Sequence, residues 1–326
     1  MTARHLALRD DRGRLEVRGP QATAVLYGLL TNDVATLADG AGQWAAALTA
    51  KGRVLALLRL VHDGDRYLVE TDAAALPGLL AMLRKYVNPR LATVTDLTAT
   101  TRTLSVVGPE AAPALASSVG VPIETLTALA PLGACRGSVA GTPVLVVRTP
   151  GGTAPGFEVV GPTESIDALT AELTATGWTP ATAAALEANR IGAGVPTWGV
   201  DMTEETIAQE AALDTLGAIA FAKGCYTGQE VVARIHFRGH VNRLLRRLRA
   251  DTTLLVGASV RDAAGAEVGD VRSAVLTDAG ALAIAMVRRE VAPGAMVDVV
   301  HGEVITPARV EALHGGDDAA GADPMG

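Results

Sequence analysis

Cysteine and aromatic residues are what this 326-residue chain has least of: two Cys, three Phe, three Trp and four Tyr. Cys135 and Cys225 lie far apart and form neither a CxxC pair nor a disulfide framework, which fits a reducing cytoplasm. With so few rings the core has to be aliphatic, and each aromatic side chain becomes a marker. Long apolar runs are missing too. The best one, WAAALTAKGRVLALLRLV, is broken by Lys51, Arg53 and Arg59, so no membrane span is expected. The first residues, MTARHLALRDDRGR, carry charges at short intervals where a secretory signal would have an apolar stretch. There is no GxxxxGK[ST] phosphate loop, no HExxH and no GxGxxG after a strand, and GAGVP at 192–196 reads as a glycine turn. ATP- or nicotinamide-dependent chemistry therefore has no support. The net charge of −7 argues against general nucleic-acid binding, which needs a positive field.

What is present is 49% apolar residues, set in short segments whose periods are readable. GRLEVRG at 13–19 alternates like a strand. PQATAVLYGLLTNDV reads as a helix opening at Pro20, with Ala24, Val25, Leu26, Leu29 and Leu30 on its apolar face. Residues 43–49 and 53–62 read as strands joined by a turn at Lys51-Gly52, followed by a strand at 67–71 and a helix at 76–87. TRTLSVVG, PEAAPALASSVG, GSVAGTPVLVVRTP, GFEVVGP and TESIDALTAELTATG then read as strand, helix, hairpin, strand and helix, the last with Thr163 or Ser165 near its cap. Two such units over residues 1–240, divided near 95–105, predict an α+β fold with each sheet covered by helices. From 241 to 312 short alternations separated by DAAG, DAG and PG turns predict a small β-barrel. The tail, 313–326, offers nothing to pack and is expected to be disordered.

The stretch KGCYTGQEVVAR, 223–234, concentrates the chemistry. Gly224 and Gly228 allow tight turns. Thr227 and Glu230 have the spacing of a capping box, so a helix could start at Gly228, although VVARIHF is β-branched enough for a strand. Cys225 would then sit just outside a helix N-terminus, beside Lys223 and upstream of Arg234, surroundings that favour thiolate. A small buried residue in a glycine turn and a metal contact stay open as other readings. Zinc would have to use Cys225, His236 and His240, one cysteine and two histidines with Gly239 between them, a poor match to a structural site. The run RIHFRGHVNRLLRRLR carries Arg234, Arg238, Arg243, Arg246, Arg247 and Arg249 and no acid. A solvated strand edge, a carboxylate-bearing small ligand and an RNA segment would each suit it.

KGCYTGQEVVAR with the following FRG resembles the signature of the YgfZ proteins, folate-binding relatives of the glycine cleavage T-protein. VRGPQATAVLYGLLTNDV, LTAKGRVLALLRLVHDGD, RIGAGVPTWGVDM, GDVRSAV and ALAIAMVRREVAPGAMVDV match further family segments in order. The resemblance implies two ferredoxin-like α+β subdomains and a C-terminal β-barrel around a central opening that binds tetrahydrofolate or a derivative. It also implies a role in assembling or repairing iron–sulfur clusters in target enzymes, some of which modify tRNA. Its expected partners are a reduced folate and iron–sulfur enzymes or cluster assembly proteins.

On that resemblance Cys225 is the functional thiol, Lys223 tunes it or holds an anion, and Gln229 and Glu230 fix the loop. Gly224, Tyr226 and Gly228 complete the motif. Arg234, Arg238, Asn32, Asp33 and Trp198 are the expected folate contacts, and no metal site is expected. The alternative is a folate-dependent aminomethyltransferase like the T-protein. That enzyme uses an acid in its first hairpin, where this chain has Ala56 and Leu57, and a Glu where it has Gly192.

Overall fold

The structure, a computed structural model, describes residues 4–315. Its first sheet is antiparallel, in the order Gly42–Leu48, Val54–Asp63, Arg66–Asp72, Arg12–Arg18, Thr93–Asp96. The helices Ala22–Leu29 and Leu76–Tyr86 supply Leu26, Leu79 and Leu83 to a core with Leu15, Leu58 and Leu60 from the strands. The first of these helices starts two residues later than Pro20 suggests, with Gln21 at its cap.

A second sheet runs Thr179–Pro180, His5–Leu8, Thr101–Val107, Gly156–Pro162, Thr142–Arg148, Ala134–Val139. The N-terminal strand thus crosses into the sheet built from the second unit. Helices Ala111–Val119, Ile123–Ala128 and Thr163–Ala175 cover one face with Leu115, Leu126, Ile166 and Leu169. Neither Thr163 nor Ser165 caps the last of these: Pro162 holds the cap position and Ser165 is buried.

The uncovered faces of the two sheets meet. Val61 and Leu68 from the first touch Ala134, Leu145, Val147 and Val160 from the second. That is why Val54–Asp63 is buried on both faces, with helices on one side and a sheet on the other.

Residues 243–311 close into a six-stranded barrel: Arg243–Ala250, Gly280–Arg288, Glu267–Thr277, Ser259–Arg261, Met296–His301 and Val304–Glu311, which returns to the first strand. The last of these was not among the segments read from sequence. The barrel has its own aliphatic interior around Leu248, Val260, Ala283 and Val297. It docks on the first unit through another core, where Leu245, Leu282 and Ile284 meet Leu57, Ile191, Val195 and Tyr226. Leu313 belongs to that core, and His314 Nε2 lies 2.8 Å from Gly194 O. Of the expected disordered tail, Leu313 is seated on that apolar core and Gly315 is exposed, while 316–326 lie outside the described residues. No helix among the described residues is long and apolar enough to cross a membrane.

Candidate functional site

Cys225 is exposed, on a loop that Lys223 nails to the first unit. The Lys223 ammonium is buried and donates to Tyr27 O and, at 2.6 Å, to Leu30 O, carbonyls at the C-terminal end of Ala22–Leu29. A cation suits that end of a helix, where carbonyls lack intrahelical partners. It also lies 4.3 Å from the Tyr27 ring centroid and 4.9 Å from that of Tyr226. Gly224 N–H donates to Tyr27 Oη at 2.7 Å, so both residues before the thiol are tied to one helix. Burial lowers the Lys223 pKa to about 8, with Asp33 opposing the shift, and burial raises that of Tyr226 to about 12. In the structure two of the Lys223 protons go to backbone carbonyls, which anchors the loop that carries the thiol.

A helix follows the thiol, Gln229–Arg238. Its cap is Gly228 in the left-handed region at φ 85°, with no side-chain cap bond, so the Thr227–Glu230 capping box does not form. Gln229 and Glu230 make no side-chain hydrogen bond among the described residues, and Glu230 is exposed. Packing does the fixing instead. A Cβ at 228 would sit 2.5 Å from Thr49 O, and one at Gly52 would sit 3.0 Å from Val231 Cβ. The two glycines let the helix start lie directly on the hairpin turn of the first sheet. Val232 is wholly buried and Gln209 Nε2 donates to its carbonyl at 2.8 Å, which explains why a β-branched stretch is helical.

A cavity of about 320 Å³ lies between the two sheets and the helix Ala183–Gly192. Its wall is charged. Arg59 binds both Glu70 and Glu158, and Arg9 reaches Glu158 at 3.0 Å. Thr103 Oγ1 and Ser105 Oγ donate to Glu70 and Glu158, each at 2.8 Å. Arg59, Glu70 and Glu158 are all at most 7% exposed. Burial pushes the Glu158 carboxyl up, but Arg59, Arg9 and Arg12 together hold it well below the usual carboxylate range. On the barrel side Arg190 joins Glu187, Asp201 at 2.6 Å and Ser273 at 2.8 Å, which locks the RIGAGVPTWGVDM segment to the barrel.

Sequence reasoning missed these cavity residues, although a signal existed. Glu158 is a lone charge inside the otherwise apolar strand GFEVVGP, and Arg59 interrupts the apolar run LALLRLV, where an unpaired charge would be prohibitive. None of Arg234, Arg238, Asn32, Asp33 and Trp198, the expected folate contacts, lines the cavity. Arg234 and Arg238 are exposed on the helix after Cys225. Asn32 Nδ2 ties Trp44 O to Gly217 O, and Asp33 Oδ1 accepts the Ala35 N–H. Trp198 donates from its backbone to Asp72 and from Nε1 to Val54 O. His236 stacks on Phe221, with ring centroids 3.6 Å apart. Ala56 and Leu57 are buried in two different cores, and Gly192 packs so close to Thr153 that a Cβ would lie 2.9 Å from its Cγ2.

The family description "GCVT N-terminal domain" matches residues 9–221. The tRNA-modifying protein YgfZ of Escherichia coli O157:H7 is 30% identical over 244 residues, 72% of this chain and 69% of its own length. The chain belongs to the YgfZ family. A second YgfZ protein, from Colwellia psychrerythraea, is 24% identical over 236 residues, covering 72% of this chain and 68% of its own. Among solved structures, the glycine cleavage system aminomethyltransferase T from Bartonella henselae matches with a TM-score of 0.84 over 95% of this chain and 86% of its own, at 22% identity. That likeness establishes the fold: two α+β units and a barrel, as the YgfZ resemblance implies.

Proposed function

We propose that this YgfZ member binds a reduced folate in the cavity between its sheets and uses Cys225 to support assembly or repair of iron–sulfur clusters in other enzymes. The observation that carries the reading is the presentation of Cys225: an exposed thiol whose loop is held by a buried lysine on one side and a left-handed glycine on the other. A loop so anchored keeps a reactive atom in one place while leaving it open to a partner. The relatives' name, tRNA-modifying protein, fits a chain whose client enzymes include some that modify tRNA.

The cavity residues fit a folate. The volume lies within the usual range for a small-molecule site. Trp44, Val107, Leu186 and Val195 give flat and apolar contact, while the remaining lone pairs of Glu187, whose carboxylate also holds Arg190, offer an acceptor for a pterin's N–H groups. A bound reduced folate carries one-carbon units. The transferase reading has less behind it, because Ala56 and Leu57 put core side chains where acid/base work would need a carboxylate.

Calorimetric titration of several folates into the wild type and the Cys225→Ala and Trp44→Ala variants separates the two parts. Cys225→Ala is expected to keep the wild-type affinity and Trp44→Ala to lose it. In cells lacking the protein, Cys225→Ala is expected not to restore iron–sulfur enzyme activity. Full rescue by that variant would remove the thiol from the function.

A further inference from the structure

The arginine run 234–249 divides into two parts with opposite surroundings. On the barrel strand Arg243 donates to Glu210 at 3.0 Å, and Arg247 and Arg249 share Glu311 at 3.0 and 2.9 Å. Acids from elsewhere in the chain therefore answer that part of the run. On the helix before it, Arg234 and Arg238 are exposed and meet no carboxylate among the described residues. They stand one helical turn apart on the same side, about 6 Å between Cβ atoms.

The fold adds two more cations at the end of this helix. Residues 239–242 link it to the barrel, and there Arg289 N–H donates to Asn242 O at 3.0 Å. Arg288 is the cross-strand partner of Arg243. Both are exposed and make no ion pair among the described residues, with exposed Glu290 directly after them in the chain, and exposed His240 lies in the link. The acid nearest in sequence on the helix, Glu230, is at its opposite end.

One of the three phenylalanines, Phe237, is on this helix, and a second, Phe221, packs from the preceding loop between the core and His236. Phe221 stacks on His236 with an interplanar angle of 12°, and Phe237 stands edge-on to both, at 74° and 80°. Phe237 is 67% exposed. In a chain this poor in rings, leaving a phenylalanine in water gives up the burial of a large apolar side chain, roughly 1.5–3 kcal/mol. The helix dipole accounts for a cation near the last turn, but not for Phe237 or for Arg288 and Arg289.

We propose that this face, from Phe237 to Arg288 and Arg289, binds an unpaired stretch of nucleic acid. Bases stack on the rings and the four guanidiniums take phosphates, a combination that serves single strands of any sequence. An acidic protein surface would answer the arginines alone, whereas a base-bearing phosphate chain uses the rings and the charges together. The −7 net charge confines the contact to this face.

The test uses the full chain and fluorescein-labelled oligouridine and oligothymidine of about twelve nucleotides, followed by anisotropy across a series of salt concentrations. Four phosphate contacts predict a slope of log affinity on log salt of about −2.8. Arg234→Gln with Arg238→Gln is expected to flatten that slope by about 1.4. Phe237→Ala and Phe237→Leu are each expected to weaken binding roughly tenfold, since leucine keeps apolar area but lacks the ring. Arg249→Gln, whose partner is Glu311, is expected to bind as the wild type does. The proposal fails if neither oligonucleotide binds at low salt, if a duplex binds as tightly as the single strand, or if both Phe237 variants bind normally. Displacement by polyglutamate at the same charge concentration would assign the face to an acidic protein instead.

Discussion

The cavity between the sheets and the outer face of the helix Gln229–Arg238 both gather arginines, yet they treat them in opposite ways. Around the cavity, Arg59 is out of water and its charge is met by both Glu70 and Glu158. On the helix, Arg234 and Arg238 stay in water and are met by nothing in the described chain. A buried arginine without a partner would cost several kcal/mol, so the first set has to be complete. An exposed one costs nothing to leave free, so the second can wait for a partner. Lys223 stands between these cases: buried, but satisfied by two neutral carbonyls.

Substitutions along this series should rank by what each cation leaves behind. Arg59→Met strands two buried carboxylates, and its chemical denaturation at neutral pH should show about 3–5 kcal/mol of lost stability. The Glu158 carboxyl lies below its ordinary 4.5 when folded, so its contribution is present above that pH and is lost as the pH falls through the folded value. The deficit of Arg59→Met should accordingly narrow when denaturation is repeated in acid. An unchanged deficit would mean that Glu158 is not held down by Arg59.

Lys223→Met should cost about 1–3 kcal/mol, since two carbonyls lose their donor. Its pH signature runs the other way. With a folded pKa near 8 against 10.5, the unfolded chain holds more protons in that window, so wild-type stability should rise with pH between them. The variant should lack that rise. Arg249→Gln removes a half-exposed ion pair to Glu311 and should cost less than about 1 kcal/mol. Arg238→Gln and Cys225→Ala should stay within about 0.5 kcal/mol of wild type in thermal melts. A loss for Arg238→Gln as large as that for Arg59→Met would erase the distinction between the two regions.

Much of the layout was legible because period and turn chemistry are local. The hairpin at Lys51-Gly52, the helix at 76–87 and the alternations beyond 241 each appear in the structure. The four-residue strand His5–Leu8 is too short to show a period, and it and the helix Ala183–Gly192 were missed. At the candidate site the glycine motif was visible, but the roles inside it were not. A capping box needs two residues three positions apart, whereas the actual fixings of the loop come from Tyr27, Leu30 and Thr49, almost two hundred positions away.

The sequence by itself determined the aliphatic core, the α+β units followed by a barrel, the family, and the glycine-flanked cysteine. Each of these depends on neighbours within a few residues or on a motif. Only the tertiary structure decided which charges are answered. It gave Arg247 and Arg249 an acid from the last strand, gave Arg59 two acids from two sheets, and gave Lys223 the carbonyls of a distant helix. Pairing is a matter of distance in space and of burial, and a run of arginines on one line of sequence records neither.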